Sequence, residues 1–214
     1  VVSDSAELLH RVRETDPVAW LAWTLRKSGP ARRLPAADRL ALIERGIRSA
    51  ADADEAFRGI SVRDALASEK VPVADVEEPE PTAYPYLAVF DEATRSIDVN
   101  VRLLARLEEW WAGPDADPSL VVEARELAGR VTEVALAHEL FHVHEAAHRP
   151  PQGRAGVFKR YRQLQLDESV AEVGAVAFSQ AKAGLECSPV VFEFAIALML
   201  DSPATVLRAL QEVS

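Results

Sequence analysis

The sequence predicts a mostly helical α+β protein in which a small antiparallel or mixed sheet lies between two helical stretches. Three observations predict it. Apolar residues recur at helical spacing over most of the chain. A segment between residues 71 and 100 alternates instead, with turn residues between its runs. The helices after that segment are apolar nearly all round, which marks buried elements. The chain has 214 residues and is 49% apolar, enough core for one domain or one domain with an appendage.

Taken in order, residues 5 to 27 form an amphipathic helix pair. Leu8, Leu9 and Val12 mark the first, and Val18, Leu21 and Leu25 the second. Pro17 suits the first turn of the second helix, where its missing N–H costs nothing. Trp20 and Trp23, one turn apart, read as core anchors. Ser28-Gly29-Pro30 ends this helix, and another begins near Pro35, carrying Leu40, Leu42, Ile43 and Ile47. Residues 1 to 60 are thus expected to be a helical N-terminal extension packed on a core of residues 61 to 214.

A short helix over residues 61 to 69 precedes Val71 to Val76, which alternates as a strand does, and an acidic, Pro-rich connector runs from Glu77 to Pro85. Tyr86 to Phe90 and Ile97 to Asn100 read as two strands joined by Asp91-Glu92-Ala93-Thr94-Arg95, a hairpin. After Asn100 the pattern is helical. One helix carries Leu103, Leu104, Leu107, Trp110 and Trp111 and stops at Gly113-Pro114-Asp115. The next is expected from about Ser119 to His148, ending at Arg149-Pro150-Pro151; another from Val157 to Ala183; and a last one from near Pro189.

Net charge is −10 with no long basic stripe, which argues against nucleic-acid binding. Cys187 is the single cysteine, so a disulfide within the chain is excluded and a metal site would draw on His and carboxylates. The longest apolar run, Val190 to Leu200, is interrupted by Glu193 and is too short for a bilayer. With no charged-then-apolar leader visible, the expected location is the cytoplasm, although the chain begins at Val1 rather than Met.

The chemistry concentrates in His-Glu-Leu-Phe-His-Val-His-Glu-Ala-Ala-His, residues 138 to 148, which holds four of the five histidines. It contains H-E-x-x-H twice, at residues 138 to 142 and 144 to 148. In a helix, His138 and His142 lie about 6 Å apart along the axis and roughly 40° apart around it, so both rings can meet one ion. Glu139, roughly 100° round from His138, can reach a water on that ion without ligating it. The same geometry holds for the second copy, so context must choose. The first copy lies mid-helix among uncharged neighbours; the second lies at the helix end beside Arg149 and Pro150. Their faces differ by roughly 120°, so one copy alone can point at the core, and the first is favoured. A third pattern would make His148 the final ligand, as in the metzincin signature H-E-x-x-H-x-x-G-x-x-H. Here Glu145 replaces the Gly, and a continuous helix leaves His148 about 15 Å along the axis from His138, out of reach.

The following helix repeats the combination of apolar surface and embedded charge, with Glu168 and Glu172 among Val170, Ala171, Val173, Val176 and Phe178. Buried ionisable groups require partners, and one metal ion would serve both helices. The stretch Asp167-Glu168-Ser169-Val170-Ala171-Glu172 resembles the E-x-x-A-E segment of gluzincins, zinc metallopeptidases with H-E-x-x-H and a downstream Glu. Together with the upstream helix, strand and hairpin, residues 61 to 183 resemble the minimal gluzincins of the ImmA/IrrE type. Phe141 departs from that group, which has Gly at the equivalent place.

The resemblance implies a zincin-like core and one zinc ion held by His138, His142 and Glu168, with Glu172 beside them. Asp167, as in aspartate-type zincins, and Glu172 are the competing third ligands. It further implies hydrolysis of a peptide or protein substrate through a metal-activated water, with Glu139 as general base. The last strand, if at a sheet edge, would hold the peptide, and His144, Tyr161 and Tyr84 are candidates to stabilise the oxyanion. The alternative is a catalytically silent zincin-like domain used for regulation or binding.

Overall fold

The computed structural model describes residues 5–77, 86–112, 127, 129–149 and 157–213. It is a mostly helical α+β structure with one three-stranded mixed sheet. Four helices come first: α1 (Ser5–Glu14), α2 (Pro17–Arg26), α3 (Gly29–Arg32) and α4 (Ala36–Ala56), then the short α5 (Val62–Ser68). Asp16 starts α2 by accepting the Val18 N–H at 2.9 Å, with Pro17 in the first turn. Trp20 is fully buried and donates its indole N–H to the Val12 carbonyl at 3.0 Å, which satisfies the one polar atom it takes inside. Its ring lies 5.7 Å from Trp23 and 5.1 Å from Phe194, so the helices of residues 5 to 26 share a core with the C-terminal part of the chain.

The sheet comprises β1 (Val73–Val76), β2 (Ala88–Asp91) and β3 (Ser96–Asn100) in the order β1-β3-β2, with β3 parallel to β1 and antiparallel to β2. The hairpin turn is held by Asp91, whose carboxylate accepts the Ala93 N–H at 2.8 Å. The last strand, expected to hold a peptide if it lay at an edge, is central; β1 and β2 form the edges. Slipping β3 between them covers its buried apolar side chains, Ile97 and Val99, on both flanks.

Asn100 then starts α6 (Val101–Ala112), its side chain accepting the Leu103 N–H at 3.0 Å. The two long helices are α7 (Val131–His148) and α8 (Val157–Ala183), followed by α9 (Val190–Met199) and α10 (Pro203–Val213). Two boundaries differ from the sequence expectation. The helix expected from Ser119 to His148 is interrupted: Leu127 is helical, Gly129 and Arg130 form a turn, and α7 begins at Val131; residues 119–126 and 128 lie outside the described residues. The Arg130 guanidinium donates to the Ala183 carbonyl at 2.9 Å, so this turn also closes the end of α8. The single last helix is two. Asp201 adopts a left-handed φ of 55°, and the Ser202 N–H returns to the Ala197 carbonyl at 2.8 Å, a helix stop that Pro203 completes. The expected stops at Gly113-Pro114-Asp115 and Pro150-Pro151 and most of the Glu77–Pro85 connector lie outside the described residues.

Helix α7 is the centre of the molecule, with Val131, Leu136, Ala137, Leu140, Phe141 and Val143 all essentially inaccessible. Two glycines on or beside α8 let its neighbours close in. At Gly46 of α4 a Cβ would lie 2.7 Å from Val173 Cγ1. At Gly174 of α8 a Cβ would overlap the ring of Phe141 on α7. The bulk of Phe141 is therefore accommodated by a glycine on the opposite helix, and the two helices still approach closely.

Candidate metal centre

Because His138 and His142 sit one turn apart on α7, their rings project together, and their Nε2 atoms are 3.2 Å apart. Helix α8 crosses at this level and delivers Glu172. Its Oε2 lies 3.5 Å from His138 Nε2 and its Oε1 lies 3.4 Å from His142 Nε2. The histidine side chains are mostly covered, and that of Glu172 is half exposed (26%, 20% and 51% of full exposure). His138, His142 and Glu172 can hold a metal ion, and among the described residues they form the one such group of three or more.

The donor geometry gives a test of fit. Zinc bonds to imidazole nitrogen and carboxylate oxygen are about 2.0–2.2 Å long, so neighbouring ligand atoms of a tetrahedral site stand about 3.3–3.5 Å apart. The Nε2–Nε2 separation of 3.2 Å is close to such an edge, and Glu172 sets a different carboxylate oxygen near each imidazole, so that one donor atom from each of the three residues lies within 4.8 Å of the others. Two imidazoles and a carboxylate are a donor set that suits zinc and other first-row divalent ions, and three ligands leave one tetrahedral position open.

Glu139 is buried and outside this triad, where it accepts the Phe90 N–H of β2 on Oε2 at 2.8 Å. Its position follows from the hairpin register. The Asn100 N–H donates to the Leu87 carbonyl, so the alternation of antiparallel pairing turns the main-chain groups of Ala88 and Phe90 away from β3. The free edge of β2 therefore faces α7, and Glu139 takes one of its donors. Burial raises the Glu139 pKa, against the pull of His138, His142 and the Phe90 N–H. Burial pushes the His138 pKa down, but the carboxylates of Glu172 and Glu139 overcome it and raise it. Burial pushes the Glu172 pKa up, and its hydrogen bonds with the two imidazoles outweigh this, holding it far below the ordinary carboxylate range. His138 and Glu139 open on a cleft of about 890 Å³ that also reaches Tyr86 and Ala88.

The structure brings together His138, Glu139 and His142 as the sequence suggests, but the acid beside them is Glu172 and not Glu168. Glu168 is exposed one turn earlier on α8, outside the triad. The two glutamates share a helix face, and sequence spacing identifies the face without identifying which turn comes level with the histidines. That level is set by packing, with Phe141 seated on Gly174. Asp167, the other candidate ligand, turns toward α4 and pairs with Arg45 at 2.5 Å.

None of the described oxyanion candidates stands at the triad. His144 packs edge-on against Phe57 with ring centroids 5.6 Å apart. Tyr161 is exposed, accepts from Gln165 at 3.0 Å, and precedes Glu172 by eleven residues, or about 16 Å of helix. Tyr84 lies outside the described residues. The Phe90 N–H and the Gly174 seat were not foreseen; Gly174 within an otherwise apolar helical run is the one trace that the sequence carries of the second.

No known family model, curated protein or solved structure matches the chain. Among the described residues, no helix is long and apolar enough to cross a membrane.

Proposed function

We propose that the protein is a zinc-dependent metallopeptidase of the gluzincin kind, with His138, His142 and Glu172 as ligands and Glu139 as general base. The observation that carries this reading is the convergence of His138, His142 and Glu172, one donor atom from each within 4.8 Å of the others, with a buried carboxyl beside them that is not one of the three. Zinc, when bound, would polarise the scissile carbonyl and acidify a water. The rest is work for the chain's own residues. Glu139 is oriented by the Phe90 N–H through one oxygen, which leaves the other to accept a proton. The same carboxyl can then return that proton to the leaving amine. The free edge of β2 beside the cleft suits an extended peptide, with Ala88 offering the main-chain groups that point away from β3.

The test is zinc content by elemental analysis together with hydrolysis of a quenched-fluorescent peptide mixture. Wild type should carry one zinc per chain and cleave. Glu139→Gln should keep the zinc and lose hydrolysis by about 10²-fold or more. Wild type that binds no zinc, or a Glu139→Gln variant with undiminished hydrolysis, overturns the proposal.

A further inference from the structure

The cleft beside Glu139 is lined by two unlike kinds of side chain. With His138 and Glu139, its lining includes the aliphatic side chains of Val134 of α7, Val176 of α8, and Ile196 and Leu200 at the end of α9. On the α10 side it is polar. Ser202, Thr205 and Arg208 follow at intervals of three, so they share one face of that helix and its first turn.

The charged groups of this cleft are not all paired with one another. Apart from Glu139, the acid on its border is Glu193, and Lys27 neutralises it with Nζ 2.6 Å from Oε2. Arg208 is exposed and borders the cleft, and among the described residues no carboxylate pairs with it. An aliphatic lining in the same cleft as the reacting groups, with one guanidinium that has no carboxylate partner among the described residues, complements an aliphatic side chain and a carboxylate on the same ligand.

We propose that this cleft is a subsite that takes an aliphatic residue of a peptide against Val176 and Ile196 and receives a carboxylate of that peptide on Arg208. The peptide nature of the ligand rests on the metallopeptidase reading; the binding itself does not require turnover. The carboxylate has two sources, a free C-terminus or an acidic side chain, and the test separates them.

Three probes are titrated calorimetrically into Glu139→Gln protein, which does not consume them: acetyl-Leu-Leu with a free C-terminus, its amide, and acetyl-Leu-Glu amide. Each is measured with zinc and after chelation, with Arg208 intact and as Arg208→Gln. One of the two carboxylate probes should bind about tenfold more tightly than acetyl-Leu-Leu amide, the difference a charge-assisted bond to a partly solvated guanidinium makes. Arg208→Gln should erase that preference and Arg208→Lys should keep part of it, with or without zinc. The favoured probe identifies the source of the carboxylate.

Equal affinity for all three probes, binding of none, or a preference that survives Arg208→Gln overturns the subsite. A preference that vanishes on chelation places the carboxylate on the metal and overturns it equally. The metallopeptidase reading fails differently: zinc-loaded wild type would leave the probes intact while the Arg208-dependent preference persisted.

Discussion

In α7, His138 and His142 of the first H-E-x-x-H copy bring their Nε2 atoms to 3.2 Å of each other and face a carboxylate of another helix. Six residues on, His144 and His148 of the second copy stack with ring centroids 4.2 Å apart, but His148 donates from Nδ1 to the His144 carbonyl of its own helix at 2.8 Å. The glutamates differ as much. Glu139 is buried and takes a main-chain N–H from β2, whereas Glu145 pairs with Arg149 at 2.7 Å at the helix end, and Arg149 also reaches Glu92 of the hairpin turn. Spacing along the helix is identical in the two copies. What separates them is what the rest of the fold brings within reach: α8 and an open sheet edge for the first, the Phe57 ring and a helix terminus for the second.

The comparison breaks most directly at the histidines. His138→Ala should abolish zinc binding and with it all hydrolysis, while His148→Ala should retain both, as measured by elemental analysis and peptide cleavage; the reverse pattern would transfer the site to the second copy. The next largest contrast lies on α8. Glu172→Ala should weaken zinc binding by about 10²-fold or more, as loss of one of three ligands does, and Glu168→Ala should stay within a few-fold of wild type in competition with a chelator. Equal losses in the two variants would mean that the exposed turn also reaches the ion.

The packing that sets this level can be stressed without touching a ligand. Gly174→Ala places a methyl group into the Phe141 ring and should cost about 1–3 kcal/mol in chemical denaturation, part of which Phe141→Leu in the same chain should restore. At the second copy the expected effect is smaller. Arg149→Ala removes two partly exposed ion pairs, with Glu145 and Glu92, and should cost at most about 1 kcal/mol, less at high salt, with zinc content unchanged.

The smallest effect is at the hairpin that presents Phe90. The Ala93 N–H, with the other donors of the turn, lowers the Asp91 pKa, so the unfolded chain binds its proton more readily than the folded one. Its contribution is therefore present above the ordinary aspartate range and lost as pH falls through the lowered value. Asp91→Ala should be less stable than wild type at pH 7, and the gap should close in acid; a gap that is constant with pH would mean that the carboxylate charge plays no part.

Much of this protein is legible along the chain. Helical spacing located α1, α2 and α4, Asp91 through Arg95 located the hairpin turn, and Val157 and Ala183 bound α8 as expected. The choice of the first copy followed from its uncharged neighbours, which the structure shows to be core. Where reading failed, the missing information was long-range. The break at Gly129 and Arg130 depends on carbonyls at the far end of α8, and the place of β3 between β1 and β2 depends on a pairing partner 24 residues earlier in the Val73 to Ile97 register.

The sequence by itself therefore determined the helices, the hairpin, and the face of α7 that carries His138 and His142, because periodicity and turn chemistry act over a few residues. It also confined the third partner to the face of α8 shared by Glu168 and Glu172. Only the tertiary structure decided which turn of that face stands level with the histidines and which strand edge meets Glu139. A helix face repeats with every turn, and one turn can be told from the next only by what packs against it, here the ring of Phe141 on Gly174.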